Sequence, residues 1–373
     1  MKIRRISISN YKGIEKLELD FPMPRMPDDP DIIALGSKNG VGKTSVMECC
    51  TLLLLAATHK EDEFDNMVWD YSINILDLLI KAGSDYATIS GDIEIGNGKL
   101  QTITMNIHRN EKVKISRKPS KIAISEAAQN SDSDSDLDDD LDDIILAVCG
   151  LKPSPVVVNP FLFFHSYRKV EEGNPELGSM VEGDVLPKRN IRHLRRMRHM
   201  KRRDSGFDEF KVRILRSMMG QAELFEIQKG AQKAKEDNQA SVAIKTLNYL
   251  VEIYAGGQIN KLRPSADNTI EFRVEPASDD EGDSFSFDGL SSGQKEIIST
   301  LFLIWYHTRE NPQIVFIDEP ELHLNEQWHH SFVNNLVKLA PQNQYIIATH
   351  SEDVMDSVEF SRRILLMDSG RKE

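Results

Sequence analysis

The hydrophobic pattern of this 373-residue chain predicts an α/β protein split by a polar interior segment. Ile3, Ile6 and Ile8, then Leu17, Leu19 and Phe21, alternate with polar neighbours around a turn at Asn10–Gly13, as paired strands do. The apolar run Ile32–Leu35 has the length of a buried strand, and Thr44–Ala57 is apolar on nearly every face, as for a helix packed on a sheet. Phe64–Lys81 offers Met67, Ile75, Leu78 and Leu79 as the apolar face of a second helix. From Tyr86 the period becomes two, predicting a hairpin across Gly96-Asn97-Gly98 and a third strand near Val113–Ile115. Val156–Phe164 reads as one strand. Helical spacing continues to about Tyr254 and stops at Gly256-Gly257. Short strands follow at Thr269–Val274 and Ser284–Phe287. The last 80 residues alternate regularly: helix Gln294–Thr308, strand Ile314–Ile317, helix Asn325–Leu339, strand Tyr345–Ala348 and strand Arg363–Met367.

Composition narrows the class without naming it. The formal charge is −13, so the average field of the surface does not attract a polyanion. Three cysteines, two of them adjacent, form no disulfide framework. The N-terminus lacks the apolar core of a signal peptide and no stretch reaches membrane-spanning length; the expectation is a cytoplasmic protein with no membrane partner. Charge is unevenly placed. Residues 131–143 read SDSDSDLDDDLDD, which predicts an acidic disordered loop over 126–150. Lys188–Arg203 holds nine positive residues in 16. Two readings of that segment stay open: contact with a nucleic-acid backbone, or a solvated helix that pairs with the acidic loop or an acidic partner.

The chemistry is concentrated at three strand ends. Strand Ile32–Leu35 runs through Gly36 into Ser37-Lys38-Asn39-Gly40-Val41-Gly42-Lys43-Thr44-Ser45 and then into the apolar helix, the strand–loop–helix setting of a phosphate loop. Glycines turn backbone N–H groups toward a phosphate, Lys43 reaches the β- and γ-phosphates, and the Thr44 hydroxyl is a ligand for Mg²⁺. The eight-residue pattern begins with glycine; here Ser37 stands in that place, one residue after Gly36. Strand Ile314–Ile317 ends in Asp318-Glu319, placing one carboxylate for the metal shell and a second to polarise a water. Strand Tyr345–Ala348 ends in Thr349-His350-Ser351, where His350 is a hydrogen-bond donor for a γ-phosphate or its attacking water. His323 is equally suited to a structural role in its loop.

A resemblance adds to this reading. Leu290-Ser291-Ser292-Gly293-Gln294, 25 residues before Asp318, is similar to the signature of ABC-type ATPases of the RecF- and SMC-like branch. Ile6–Ile14 resembles the opening strand and turn of those proteins, and Asp318-Glu319-Pro320-Glu321-Leu322-His323-Leu324 looks like the AAA-15/AAA-21 group. That group includes the ATPase half of overcoming-lysogenization-defect nucleases and ATPase subunits of bacterial anti-phage systems. The resemblance implies an ABC-type P-loop core, a mixed sheet flanked by helices, with an inserted and mainly helical arm. The expected layout is 1–125 and 285–373 as the two halves of an ATPase head, 126–150 as the acidic loop and 151–284 as the insert. It also implies ATP and Mg²⁺, with the signature residues Ser291, Ser292, Gly293 and Gln294 of one subunit closing on the phosphate loop of another in a homodimer or a larger assembly. The absence of sustained heptads disfavours a full SMC arm. The short stretch after His350 leaves no room for a nuclease domain, so any effector activity is expected on a separately encoded protein. The resulting expectation is an ATP-hydrolysing switch of an anti-phage system. Its alternatives are an ATP-clamped scaffold that sequesters an effector, or a RecF-like DNA repair ATPase.

Overall fold

A computed structural model describes residues 1–26, 29–37, 40–64, 68–69, 73–96, 98–109, 111–119, 141–150, 156–166, 230–264, 270–276, 284–322 and 324–367. Two compact units divide the chain, one of residues 1–168 with 308–373, the other of 169–307.

The first unit contains two larger sheets. Strands β1 (Lys2–Tyr11) and β2 (Ile14–Asp20) form the opening hairpin, and β3 (Asp31–Gly36) leads into helix α1 (Lys43–Thr58). The expected helix over Phe64–Lys81 does not form: a 3₁₀ turn at Glu61–Phe64, the short pair β4 (Val68–Trp69) and β5 (Ile73–Asn74), and a 3₁₀ turn at Ile75–Leu79 take its place. Phe64, Leu76 and Leu79 are nevertheless buried, whereas Leu78, expected on the apolar face, is 48% exposed. The hairpin β6 (Tyr86–Ile95) and β7 (Lys99–His108) and the third strand β8 (Lys114–Pro119) complete an antiparallel sheet ordered β2-β1-β6-β7-β8.

Part of the predicted acidic loop is helical. Residues 131–140 lie outside the described residues, but α2 spans Leu141–Val148 and buries Leu141, Ile144, Ile145, Ala147 and Val148. The apolar periodicity of Ile144–Val148 outweighs the Asp residues that precede it. The predicted single strand at 156–164 is a hairpin, β9 (Val156–Val158) and β10 (Phe161–Phe164), joined through a cis Asn159–Pro160 bond. Both strands belong to the mixed sheet rather than to an insert beginning at 151.

The second unit contains α3 (Gly230–Ala255), which ends at Gly256 with φ 67°, a left-handed conformation suited to glycine. Strands β11 (Gly257–Pro264), β12 (Ile270–Pro276) and β13 (Phe285–Ser286) form a small antiparallel sheet, followed by a 3₁₀ turn and α4 (Ser292–Thr308). The signature segment therefore groups with this unit, not with a separate C-terminal half starting at 285.

Back in the first unit, β14 (Ile314–Asp318), α5 (Glu326–Leu339), β15 (Gln344–Thr349), the short α6 (Glu352–Asp356) and β16 (Arg363–Leu365) finish the mixed sheet, ordered β16-β3-β15-β14-β10-β9. All residues of β3, β14 and β15 are buried, as expected for parallel strands covered on both faces.

Helix α1 lies against β1, β6 and β7 of one sheet and β15 of the other. This sandwiching explains its nearly all-apolar sequence. At the tightest approach, a Cβ on Gly91 would stand 2.5 Å from Leu53 Cδ2 and 2.4 Å from Arg5 O, so only glycine fits. The sheets are also joined by one buried side chain. Gln344 Oε1 accepts from Ile3 N at 2.7 Å, and its Nε2 donates to Ile3 O at 2.9 Å, as a neighbouring strand would.

Candidate active site

Strand register brings the chemistry together. Gly36 pairs with Thr349, and Ala348 pairs with Asp318, so the segments after β3, β14 and β15 leave the sheet side by side at its carboxyl edge. That edge is where open α/β sheets bind ligands.

After β3 the chain turns with Gly40 at φ 83° and Gly42 at φ 99°, both in the left-handed region. Gly42 caps α1, and its O accepts the first helical bond from Val46 N at 2.9 Å. Val41 and Ser45 flank this turn; Lys38 and Asn39 lie outside the described residues. Gly36 is the last residue of β3, and a Cβ there would press against Met355 Cε at 3.0 Å. The glycine preceding the loop thus serves strand packing. Ser37, in the place of the usual first glycine, puts its Oγ 3.3 Å from Lys43 Nζ.

Lys43 and Asp318 are both buried. Thr44 Oγ1 donates to Asp318 Oδ2 at 2.9 Å, which sets a hydroxyl and a carboxylate oxygen side by side. Such a hard oxygen pair fits Mg²⁺, which takes one or two protein oxygens and completes its shell with water and phosphate. Among the described residues no group of three or more His, Cys, Asp or Glu side chains forms an all-protein metal cage.

Glu319 adopts φ 46°, uncommon for a residue with a Cβ. Its N–H still donates to Ala348 O at 2.8 Å, so the β14–β15 ladder continues one residue beyond the strand before the chain turns. This turn sets Glu319 Oε1 3.2 Å from His350 Nε2. The same Nε2 lies 2.6 Å from Lys43 Nζ. The two neighbours make opposite demands: the ammonium requires an acceptor, the carboxylate a donor. Burial lowers the Lys43 pKa, while Glu319, Asp318 and Glu321 oppose that shift.

Glu321, absent from the residues expected to act, proves to be central. Its Oε1 accepts from His350 N at 2.6 Å and its Oε2 from Thr349 Oγ1 at 2.8 Å. The sequence signal was a carboxylate two residues beyond Glu319, opposite a Thr-His strand end. His323 lies outside the described residues, as does the basic segment Lys188–Arg203.

In the second unit, Ser291 and Gln294 form a capping box. Ser291 N donates to Gln294 Oε1 at 2.9 Å, and Gln294 N donates to Ser291 Oγ at 3.3 Å. Gln294 Nε2 also reaches Tyr254 O at 2.9 Å, tying the start of α4 to the end of α3. Ser291 and Ser292 are exposed and Gly293 is buried.

The AAA ATPase domain family (AAA_15) matches residues 1–355. The chain belongs to this family. Among curated relatives, this AAA ATPase is 26% identical over 115 residues to the DNA replication and repair protein RecF of Staphylococcus carnosus, covering 31% of this chain and 26% of RecF. It is 34% identical over 87 residues to the Retron Vc95 probable ATPase of Vibrio cholerae, covering 21% of this chain and 17% of that protein. The chain therefore spans about a quarter or less of either relative. A crystal structure of an SMC head bound to the C-winged helix domain of ScpA superimposes with a TM-score of 0.50 at 14% identity, covering 95% of this chain and 92% of that one. The fold is thus a mixed α/β head resembling SMC- and ABC-type P-loop ATPases. Among the described residues, no helix is long and apolar enough to cross a membrane.

Proposed function

We propose that this AAA ATPase is a nucleotide-driven switch that closes as a homodimer around two Mg·ATP and passes closure to a separately encoded effector. The observation that carries the reading is the strand register aligning Gly36, Asp318 and Thr349 at one sheet edge. The backbone of residues 37–42 and Lys43 hold the phosphates, with Lys43 leaving its present contact at His350. Thr44 and Asp318 hold Mg²⁺, which supplies charge neutralisation at the phosphate oxygens. Glu319 orients the attacking water and draws its proton, and His350 donates to the γ-phosphate side. Released from Lys43, His350 Nε2 is free to present its hydrogen. Ser291, Ser292, Gly293 and Gln294 complete the site of the other subunit; the capping box fixes the exposed serines on the first turn of α4.

The likeness to the retron ATPase and the Asp318–Leu324 segment support an anti-phage setting. RecF favours a second reading, a DNA repair ATPase. The winged-helix partner bound by the SMC head supports an effector as the receiver of closure. Lys188–Arg203 suits either a nucleic-acid backbone or an acidic segment or partner within both readings.

Glu319→Gln tests the switch. It preserves size and removes the base, so it is expected to accumulate an ATP-bound species of twice 42.3 kDa or a multiple, without turnover. A strictly monomeric species at saturating Mg·ATP would defeat the dimer. Retained biological output by a turnover-dead protein would favour an ATP-clamped scaffold.

A further inference from the structure

The phosphate loop departs from its usual pattern at Ser37, and the side chain placed there points at the lysine of the loop. Gly36 does not stand in for the missing glycine. It ends β3, where a Cβ would lie 3.0 Å from Met355 Cε and 3.1 Å from Leu365 Cδ2, so its glycine serves strand packing. Position 37 does not call for glycine on backbone grounds either. Among the described residues other than glycine, only Asn10, Lys12 and Glu319 have positive φ, so Ser37 lies outside the left-handed region. Gly40 and Gly42 make the left-handed turns of the loop instead. A side chain at 37 therefore strains no backbone, and what it adds is a hydroxyl.

That hydroxyl oxygen accepts from Lys43 Nζ at 3.3 Å, and His350 Nε2 lies 2.6 Å from the same nitrogen. Lys43 is only 6% exposed. A buried ammonium has three hydrogens and needs an acceptor for each of them. Its two neighbours respond differently to a triphosphate. Once His350 Nε2 presents a hydrogen to the γ-phosphate side, it is no longer an acceptor for Lys43. Ser37 has no such competing task, and its place is fixed by the sheet. Gly36, immediately before it, pairs with Thr349 of β15 on one side and Leu365 of β16 on the other, and Leu366 N donates to Gly36 O at 2.8 Å. The hydroxyl can thus keep one ammonium hydrogen while the other two go to phosphate oxygens.

We propose that Ser37 is a positioning residue for Lys43, whose hydroxyl holds one ammonium hydrogen and aims the other two at β- and γ-phosphate oxygens, so that the loop favours a nucleoside triphosphate over the diphosphate. The inference rests on the Mg·ATP reading above and adds to it the side chain that orients the lysine.

The test is equilibrium titration of the full-length protein with Mg·ATP and with Mg·ADP, in the Glu319→Gln background so that ATP is not consumed. Ser37→Ala is expected to weaken ATP binding about three- to tenfold and ADP binding by no more than about twofold. Ser37→Gly, which restores the usual loop residue, should behave like the alanine variant, and Ser37→Thr, which keeps the hydroxyl, should stay near the unsubstituted protein. A role through Lys43 also predicts non-additivity: with Lys43→Ala already in place, Ser37→Ala should change ATP affinity no further. An unchanged ratio of ATP to ADP affinity in both Ser37→Ala and Ser37→Gly would overturn the proposal, as would a full additional loss in the Lys43→Ala background. An ATP affinity untouched by Lys43→Ala itself would defeat the nucleotide reading, and this inference with it.

Discussion

The Glu321 carboxylate grips His350 from behind, taking its backbone N–H on one oxygen and the hydroxyl of the preceding Thr349 on the other. The loop after β14 thereby sets the direction of the histidine that follows β15. Glu319, two residues earlier, meets the same histidine at its ring. Glu321→Ala is expected to lower kcat for ATP hydrolysis by at least about tenfold while leaving ATP affinity within about threefold, since no phosphate contact is lost. Glu321→Gln, which retains an acceptor oxygen, should fall between. A matching rise in KM with unchanged kcat would place Glu321 in ATP binding instead.

Lys43 and Gly293 should separate binding from closure. Lys43→Ala removes the buried ammonium and is expected to weaken ATP binding by about tenfold or more in equilibrium titration. Gly293→Asp should leave nucleotide affinity of the isolated subunit near normal and prevent the ATP-dependent mass increase of the Glu319→Gln protein. Equal loss of affinity in both variants would contradict this division.

A pH dependence is built in beneath the phosphate loop. Glu48 of α1 is 3% exposed and accepts from Tyr11 Oη at 3.0 Å and Lys12 Nζ at 2.7 Å. Burial raises its pKa, and the Lys12 charge and both hydrogen bonds only partly oppose that. A carboxyl whose folded pKa exceeds its unfolded value contributes most below the unfolded value, about 4.3, and loses that contribution as pH rises through the folded one. Glu48→Gln should therefore flatten the stability curve above pH 4, measured by urea unfolding in steps of pH. A wild-type curve whose Glu48-dependent part instead rises over that window would refute the assignment.

Gly91 should tolerate no side chain. The Arg5 carbonyl in the way of a new Cβ is backbone and cannot turn aside. Gly91→Ala is expected to cost about 1–3 kcal/mol, read as a lower melting temperature, whereas Gly13→Ala, with open space around it and no left-handed φ, should cost less.

Much of this site was legible in the sequence because its carriers are short and local. The buried strands Ile32–Leu35 and Ile314–Ile317 announce themselves by unbroken apolar runs, and each delivers polar residues at its end. What depends on distant partners was not legible. Phe64–Lys81 contains helix-like spacing at its ends, but Val68 and Trp69 pair instead with Ile73 and Asn74. In 126–150 the Asp-rich run masked the apolar face of α2. Strand β11, polar at Gln258, Asn260 and Lys261, is a strand through its pairing with β12. Glu321 was missed because its meaning lies in Thr349 and His350, nearly thirty residues away.

The interleaving of β3 between β15 and β16 has a consequence for synthesis. Strand β3 emerges from a ribosome roughly 300 residues before β15, which is about 15–60 seconds at ordinary elongation rates. During that interval the apolar run Ile32–Leu35 lacks both of its neighbours, and the opening hairpin waits for Gln344 to hold Ile3. A nascent chain paused before residue 344 thus leaves both edges of β3 unpaired, and the phosphate loop takes its working place only when the last strands of the sheet arrive.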